Sequence, residues 1–226
     1  METFFTIFVS KVFSSYLLRM SKLQEIIHQV TLLFREFGIK SMTMDDISKS
    51  MGISKKTLYK FVKDKNDLVN KVIDYSIKEK QHFIEKITTE TTHPIDELFS
   101  LAKYSSKEIS SINPSLQYDL KKYHPNAWLL FEEHKQSFVF NCVLDNLKEG
   151  IKIGVYRKNI NPEIVAKLHT SSIPLVFDSS LFPTTEYAFK DVFSELMKHH
   201  IRGISTEEGL NYLKKLIKND TNNPLL

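Results

Sequence analysis

The side chains of this chain that are best suited to chemistry are lysines and hydroxyl groups between residues 43 and 65. One group shares the outward face of a short segment: Lys55, Lys56, Thr57, Tyr59 and Lys60. Lysine ammonium groups bind phosphate oxygens and guanine acceptors, while Thr and Tyr hydroxyls donate hydrogen bonds to phosphates. A lysine-rich face can also be merely solvated, so the elements that position it decide between the two interpretations.

Two short helices joined by a glycine turn are predicted to position this face. Gly52 can adopt a left-handed backbone, which lets one helix end and the next begin within four residues. Apolar residues stand at five and one before it and at one, six and nine after it: Ile47, Met51, Ile53, Leu58 and Phe61. Thr43 and Ser54 are expected to cap the two helices. The pattern predicts a helix-turn-helix whose second helix enters the major groove of DNA.

The distribution of charge supports the same segment. Residues 21–80 contain twelve Lys or Arg against eight Asp or Glu, and this excess of four equals the net charge of the whole chain. A basic excess confined to one segment is the electrostatic footprint that phosphate binding requires. Because four charges bind DNA weakly, the domain is expected to act in pairs on a pseudo-palindromic site.

The flanking residues complete a three-helix unit. Ser21 with Gln24 predicts a capped helix that Gly38 ends. After the motif, Asp64 is expected to cap a helix of about 23 residues and so about 34 Å. That length is sufficient for the helix to leave the DNA-binding head and enter a second domain.

The stretch MDDISKSMGISKKTLYKFVKDKNDL, residues 44–68, resembles the DNA-binding signature of tetracycline-repressor (TetR) family regulators. The resemblance covers about residues 21–75. It implies an all-helical dimer whose variable C-terminal domain binds a small molecule that controls the head. It also implies DNA contacts by Thr43, Lys55, Thr57, Tyr59 and Lys65, of which Tyr59 and Lys65 bind phosphates. Lys56 occupies a position from which side chains of the family often reach bases.

Two residues depart from the family pattern. Phe61 stands where the family often has a Tyr or His that reaches phosphate, and it cannot donate a hydrogen bond. Val62 stands where Phe is common. The first departure is expected to remove one phosphate contact, and the second is interpreted as a tolerated change in the core.

From His93 onward the sequence predicts helices interrupted by prolines. No segment alternates with period two for long and glycines are scarce, so strands are not expected. The predicted helices run over about 94–110, 115–123, 126–149, 162–178, 185–203 and 206–218. The fold class is therefore predicted to be all-α, with the helix-turn-helix domain joined by the long helix to a C-terminal helical bundle.

Two apolar stripes of the C-terminal half could pair two copies of the chain. Their principal members are Val165 and Leu168 in one helix and Phe189, Val192, Phe193 and Leu196 in another. Together they suffice for a four-helix interface between two protomers. Either stripe could equally be core within one protomer. The resemblance favours the homodimer, because the family pairs through its last two long helices.

Aromatic residues concentrated in the middle of the chain suit an apolar ligand pocket with a few polar groups. The candidate lining residues are Phe99, Tyr104, Tyr118, Tyr123, Trp128 and Phe131, and His124 and His134 lie in the same stretch. Aromatic residues at helical spacing are also ordinary core, so both interpretations stay open.

Enzyme function is not predicted. The sequence has no Gly-x-Ser-x-Gly elbow, no phosphate-cradling glycine loop, no Rossmann fingerprint and no zinc-protease pair. The eight histidines have no paired spacing that defines a metal site, so no cofactor or metal is expected. The single Cys142 fits a reducing cytoplasm and is interpreted as a core residue rather than a redox sensor.

The sequence is therefore predicted to comprise three parts. Residues 1–20 are interpreted as an extension upstream of the native start or a dispensable arm, and the alternative is a membrane- or partner-binding tail. Residues 21–67 are interpreted as the DNA-binding domain, and residues 68–226 as the ligand-binding and dimerisation domain. The predicted partners are a double-stranded DNA operator, a second copy of the chain and a small-molecule effector, without a membrane. The predicted function is a cytoplasmic, ligand-responsive repressor. The alternative is a constitutive DNA-binding or architectural dimer that senses no small molecule.

Overall fold

The computed structural model describes residues 21–113 and 115–219. Within these ranges the chain is helical and contains no strand, and one isolated antiparallel bridge joins Tyr156 to Ser205. The all-α fold predicted from the sequence is confirmed. The interpretation of residues 1–20 falls outside the described residues.

Eleven α-helices are found in the described part of the chain. The first six are α1 (Lys22–Phe37), α2 (Met44–Ser50), α3 (Lys55–Leu58), α4 (Lys65–Glu90), α5 (Pro94–Ser110) and α6 (Leu116–Tyr123). The others are α7 (Pro125–His134), α8 (Phe140–Lys152), α9 (Pro162–Ser172), α10 (Phe189–Ile204) and α11 (Glu207–Asn219). A π-helical turn, Lys135–Val139, joins α7 to α8, so the helix predicted over 126–149 is interrupted. A 3-10 turn, Ile173–Phe177, extends α9.

The first four helices begin where local capping signals predict. Ser21, Thr43, Ser54 and Asp64 each accept a hydrogen bond from the backbone N–H three residues further on. Such bonds satisfy amides that have no partner inside the helix. Because capping depends on residues close in sequence, these four starts could be predicted without knowledge of the tertiary packing.

The apolar side chains divide into two clusters. The head cluster combines buried residues of α1 to α3 and of the first turns of α4, among them Ile26, Phe34, Ile47, Leu58 and Val69. Leu120 of α6 and Ala127 of α7 belong to the same cluster. The core of the head therefore extends past the boundary predicted at residue 67 and includes two residues from far along the chain.

The body cluster fills the space among α5, α8, α9, α10 and α11. Its buried members include Phe99, Leu147, Tyr156, Phe193 and Ile201. The side chain of Tyr156 is fully buried, and its hydroxyl donates a hydrogen bond to Oδ1 of Asn146 at 3.0 Å. In the part of the chain that the structure describes, no helix combines the length and the apolar character needed to span a membrane.

Candidate nucleic-acid interface

The turn between α2 and α3 has the geometry that its sequence predicts. Gly52 has a positive φ of 63°, a conformation that L side chains rarely adopt. The backbone N–H of Ile53 donates to the carbonyl of Ser48 at 3.0 Å, and Ile47 and Leu58 are fully buried on either side of the turn. The residue offsets around Gly52 therefore place the predicted apolar side chains between the two helices.

The predicted outward face of α3 is exposed. Lys55, Lys56 and Lys60 are exposed, as is Tyr59, with 43% of its surface accessible. Nζ of Lys55 lies 3.3 Å from Oδ1 of Asp45, so an acidic group of α2 faces one of the lysines. Because both partners are half exposed, this ion pair is weak and a phosphate can replace the carboxylate.

The two threonines of the predicted site also cap helices. The hydroxyl of Thr43 is 2.6 Å from Oδ2 of Asp46, and it accepts a hydrogen bond from the backbone N–H of the same residue at 3.2 Å. The Thr43 contacts hold the pKa of Asp46 below its usual value. The hydroxyl of Thr57 forms a hydrogen bond of 2.8 Å with that of Ser54. These bonds orient both side chains at the starts of α2 and α3.

Lys65, in the first turn of α4, is half-buried and differs from the lysines of α3. Burial lowers the pKa of Lys65, and the nearby carboxylate of Asp119 opposes that shift. Asp119 is itself buried and accepts a hydrogen bond from the backbone N–H of Lys40 at 2.9 Å. An acidic residue of α6 therefore lies beside a lysine that the family resemblance assigns to DNA.

The two departures from the family pattern pack in the head. Val62 is buried, with 3% of its surface accessible, and Phe61 is half-buried against the head cluster. Both side chains are therefore part of the apolar packing beneath α3.

Several polar contacts between residues far apart in sequence hold the head against α5 and α6. Arg35 of α1 pairs with Glu108 of α5 at 2.9 Å, and the backbone N–H of Asn113 donates to the carbonyl of Arg35 at 2.8 Å. Nδ1 of His124 lies 2.8 Å from Oδ1 of Asn66, at the start of α4. Sequence reasoning did not find these contacts, because the partners are 58 to 78 residues apart and no local pattern connects them.

The six aromatic residues predicted to line a pocket lie in separate places. Phe99 is buried in the body cluster, whereas Tyr118 and Tyr123 are 57% and 38% exposed. Tyr104 stacks on Phe83 of α4, with 3.9 Å between ring centroids. Trp128 and Phe131 lie 5.5 Å apart on α7. Tyr118 and Tyr123 are thus surface residues beside Lys122, while the other four are partly or fully buried.

The six residues predicted to form a dimer interface also differ in exposure. Phe189 and Phe193 lie in the body cluster, in agreement with the alternative interpretation as core. Val165, Val192 and Leu196 are half-buried against that cluster. Leu168 is exposed, with 63% of its surface accessible, as are Ile164 one turn before it in α9 and Leu175 in the 3-10 turn that follows.

Two further predictions concern chemistry that the head does not use. The described residues contain no group of three or more His, Cys, Asp or Glu side chains arranged to hold a metal ion. Burial, with nearby Glu97, Asp145 and Glu85, raises the pKa of the Cys142 thiol to about 11. A thiol that stays protonated is a poor nucleophile towards oxidants, which supports the interpretation of Cys142 as a packing residue.

The fold and the exposed basic helix define a helix-turn-helix transcriptional regulator, and comparison with known proteins gives the family. The family model described as bacterial regulatory proteins, tetR family, matches residues 26–72. The N-terminal part of the chain therefore carries the DNA-binding domain of TetR-family transcriptional regulators.

Curated relatives and solved structures are similar to the chain over most of its length. The chain is 24% identical over 188 residues to the uncharacterized HTH-type transcriptional regulator YvaF of Bacillus subtilis, covering 82% of this chain and 96% of that protein. A TetR-family regulator from Agrobacterium tumefaciens has the same fold, with a TM-score of 0.67, 18% identity, and coverage of 82% and 98% of the two chains. The regulator FadR of Bacillus subtilis, solved in complex with stearoyl-CoA, gives a TM-score of 0.63 at 16% identity, with coverage of 81% and 100%.

Proposed function

We propose that this protein is a cytoplasmic, ligand-responsive repressor that binds a pseudo-palindromic operator as a homodimer. The observation that carries the proposal is the exposed, lysine-rich face of α3, held at a fixed angle to α2 by the Gly52 turn. A helix of this size fits the major groove, where it reads bases while flanking groups bind phosphates. The proposed DNA contacts are Thr43, Lys55, Lys56, Thr57, Tyr59, Lys60 and Lys65.

Dimerisation is proposed through the exposed apolar side chains of α9 and the turn after it. Ile164, Leu168 and Leu175 are 57%, 63% and 46% accessible. Apolar side chains that are grouped and exposed on a single protomer mark an interaction surface. The half-buried Val165, Val192 and Leu196 complete this proposed surface. When two protomers pair symmetrically through it, their two α3 helices face successive major grooves.

Ligand response is proposed to act through the seating of the head on α5 and α6. The contact of Arg35 with Glu108 joins the head to α5, and the contact of Asn66 with His124 joins the start of α4 to the end of α6. An effector that prefers a differently seated head shifts the spacing of the two α3 helices. A hundredfold loss of operator affinity requires a difference of about 2.7 kcal/mol in effector binding between the two states. The structural neighbour FadR of Bacillus subtilis was solved in complex with a small molecule, stearoyl-CoA.

The test is selection of bound sequences from a random duplex pool with the full-length protein at physiological salt. A two-fold symmetric consensus, with half-sites one or more helical turns apart, is the expected result. A Lys55→Glu/Lys60→Glu variant should lose enrichment, whereas the charge-matched Lys158→Glu/Lys190→Glu variant, changed at exposed positions of the body, should keep it. Salt-sensitive binding to all sequences without a consensus would favour the architectural alternative.

A further inference from the structure

Two lysines and two tyrosines form an exposed cluster where α6 lies against the head. We call this cluster the basic-aromatic patch, and its members are Lys40, Tyr118, Lys122 and Tyr123. Lys40 lies in the loop between α1 and α2, and the other three residues belong to α6. Both lysines are exposed, and Tyr118 and Tyr123 have 57% and 38% of their surface accessible. The patch therefore combines a side chain of the head with side chains of a helix from far along the chain.

The tyrosines hold the two ammonium groups close together. Nζ of Lys40 lies 5.0 Å from the centre of the Tyr123 ring, and Nζ of Lys122 lies 5.4 Å from the same ring centre. Nζ of Lys122 also donates a hydrogen bond to the hydroxyl of Tyr118 at 2.6 Å. Contacts with a neutral ring or hydroxyl position an ammonium group without cancelling its charge, and at exposed sites they are weak. Both cations thus stay available to an anion that approaches from outside.

Buried polar groups anchor the patch to the head on its inner side. Asp119 is buried, and its Oδ2 accepts a hydrogen bond from the backbone N–H of Lys40 at 2.9 Å. His124 is buried as well, and its Nδ1 lies 2.8 Å from Oδ1 of Asn66 in the first turn of α4. The carboxylate nearest to the patch therefore points inward, and the outer surface of the patch is basic.

The patch is continuous with the proposed DNA-binding surface on two sides. Lys40 precedes Thr43 by three residues, so their Cα atoms are at most about 11 Å apart. On the other side, the contact of His124 with Asn66 places the end of α6 beside the residue that follows Lys65. Thr43 and Lys65 are both proposed DNA contacts, so the patch extends the surface that they belong to onto α6.

The chemistry of the patch suits the DNA backbone. Lysine ammonium groups and tyrosine hydroxyls are ordinary donors to phosphate oxygens. Duplex DNA carries one negative charge about every 1.7 Å along its axis, so a duplex bound at the head presents further phosphates within reach of neighbouring basic groups. An acidic protein would be favoured by charge alone, whereas DNA is favoured by charge and by continuity with the head.

We propose that Lys40 and Lys122, positioned by Tyr118 and Tyr123, bind phosphates of the DNA backbone beyond those contacted by the helix-turn-helix. This inference rests on the proposed function and extends its DNA-binding site onto α6. Phosphate contacts carry no base preference, so the patch adds affinity without changing the sequence that is read. Because Lys40 belongs to the head and Lys122 to α6, DNA bound to both stabilises the seating of the head on α6.

The test measures binding of the full-length protein to two labelled duplexes by fluorescence anisotropy, from about 50 to 200 mM salt. One duplex carries the selected operator, and the other has the same length and composition in scrambled order. The proteins are wild type, Lys40→Gln/Lys122→Gln and the control Lys158→Gln/Lys190→Gln, which makes the same change of net charge at exposed positions of the body.

The patch variant should bind the operator about tenfold more weakly than wild type at physiological salt. The slope of log affinity against log salt should become shallower by about 2 on both duplexes, because two phosphate contacts are lost. The control variant should keep the affinity and the slope of wild type. The single variants Lys40→Gln and Lys122→Gln should each change the slope by about 1, and thermal unfolding verifies that every variant is folded.

Three results separate this inference from the proposed function. An unchanged slope and operator affinity in the patch variant would reject the patch as a phosphate site and leave operator binding intact. A different consensus selected by the patch variant would also reject it, because phosphate contacts do not read bases. If wild type selects no consensus, the proposed operator binding is wrong, and the slopes on the scrambled duplex still decide whether the patch binds DNA.

Discussion

Arg35, near the end of α1, forms an ion pair with Glu108, near the end of α5, with 2.9 Å between Nη1 and Oε2. Both side chains are about one quarter exposed, so the pair is partly removed from water. It joins the head to the body across 73 residues of sequence. Loss of this ion pair should therefore lower the free energy of unfolding and weaken the coupling between the head and the body.

We expect the losses in the free energy of unfolding caused by Glu108→Gln and by Arg35→Met to sum to more than the loss caused by the double variant. Either single change leaves a partly buried charge without its partner, and Glu108→Gln also leaves Arg35 and Lys80 as two unopposed cations. A double-mutant cycle by urea unfolding should give a coupling energy of about 1 to 3 kcal/mol. Additive effects of the two changes would mean that the pair contributes nothing as a unit.

The two kinds of proposed DNA contact predict different effects on recognition. Tyr59→Phe removes one hydroxyl from the exposed face of α3 and should weaken all operator variants similarly, by about 1 kcal/mol or roughly fivefold. Lys56→Ala should instead relax the preference at one position of each half-site. Affinities for the selected operator and its single-base variants distinguish the two, with Lys158→Ala, an exposed lysine of the body, as the control. The opposite assignment of effects would show that the two roles are exchanged.

The proposed dimer surface predicts that Leu168→Glu is monomeric. Leu168 is 63% accessible in the protomer, so the new carboxylate is tolerated by a single chain but unpaired and desolvated in the dimer. Sedimentation velocity should show the dimer lost at micromolar concentration, and operator affinity should fall with it. Leu129→Glu changes a comparably exposed leucine of α7, at 57%, and should stay dimeric. A dimeric Leu168→Glu variant would move the interface elsewhere.

The neighbouring rings of His169 and His200 predict that the stability of the protein is sensitive to acid. Their ring centroids are 4.0 Å apart, and Nδ1 of His169 is buried without a hydrogen-bond partner among the described residues. Burial lowers the pKa of His169 to about 4, and burial together with His169 and His199 lowers the pKa of His200 to about 3. Both values lie below the ordinary 6.5, so the unfolded chain binds protons first. The free energy of unfolding should therefore fall as pH decreases from about 6.5 towards 4, on the order of 3 kcal/mol for one such histidine.

The measurement is urea unfolding over this range of pH for wild type, His169→Leu and His199→Gln. His169→Leu should reduce the dependence on pH because it removes a group that titrates only in the unfolded chain. His199 is exposed, so its replacement should leave most of the dependence unchanged. If all three proteins lose stability with the same slope, groups other than the buried pair are responsible.

Features that depend on neighbouring residues were predictable from the sequence. The caps at Ser21, Thr43, Ser54 and Asp64 and the turn at Gly52 are such features, because a cap or a left-handed backbone is decided within a few residues. The exposed lysine face of α3 follows directly from them, since the apolar offsets around the turn determine which side chains point outward.

The sequence by itself therefore determined the helical fold, the DNA-binding head and the kind of chemistry its surface can perform. Only the tertiary structure decided that Phe189 and Phe193 are core and that Tyr118 and Tyr123 are surface. The physical reason is that helical periodicity gives one apolar face to each helix but does not identify the helix that covers it. Burial, ion pairing and charge balance depend on that choice of partner, and the choice is made by packing between segments far apart in the chain.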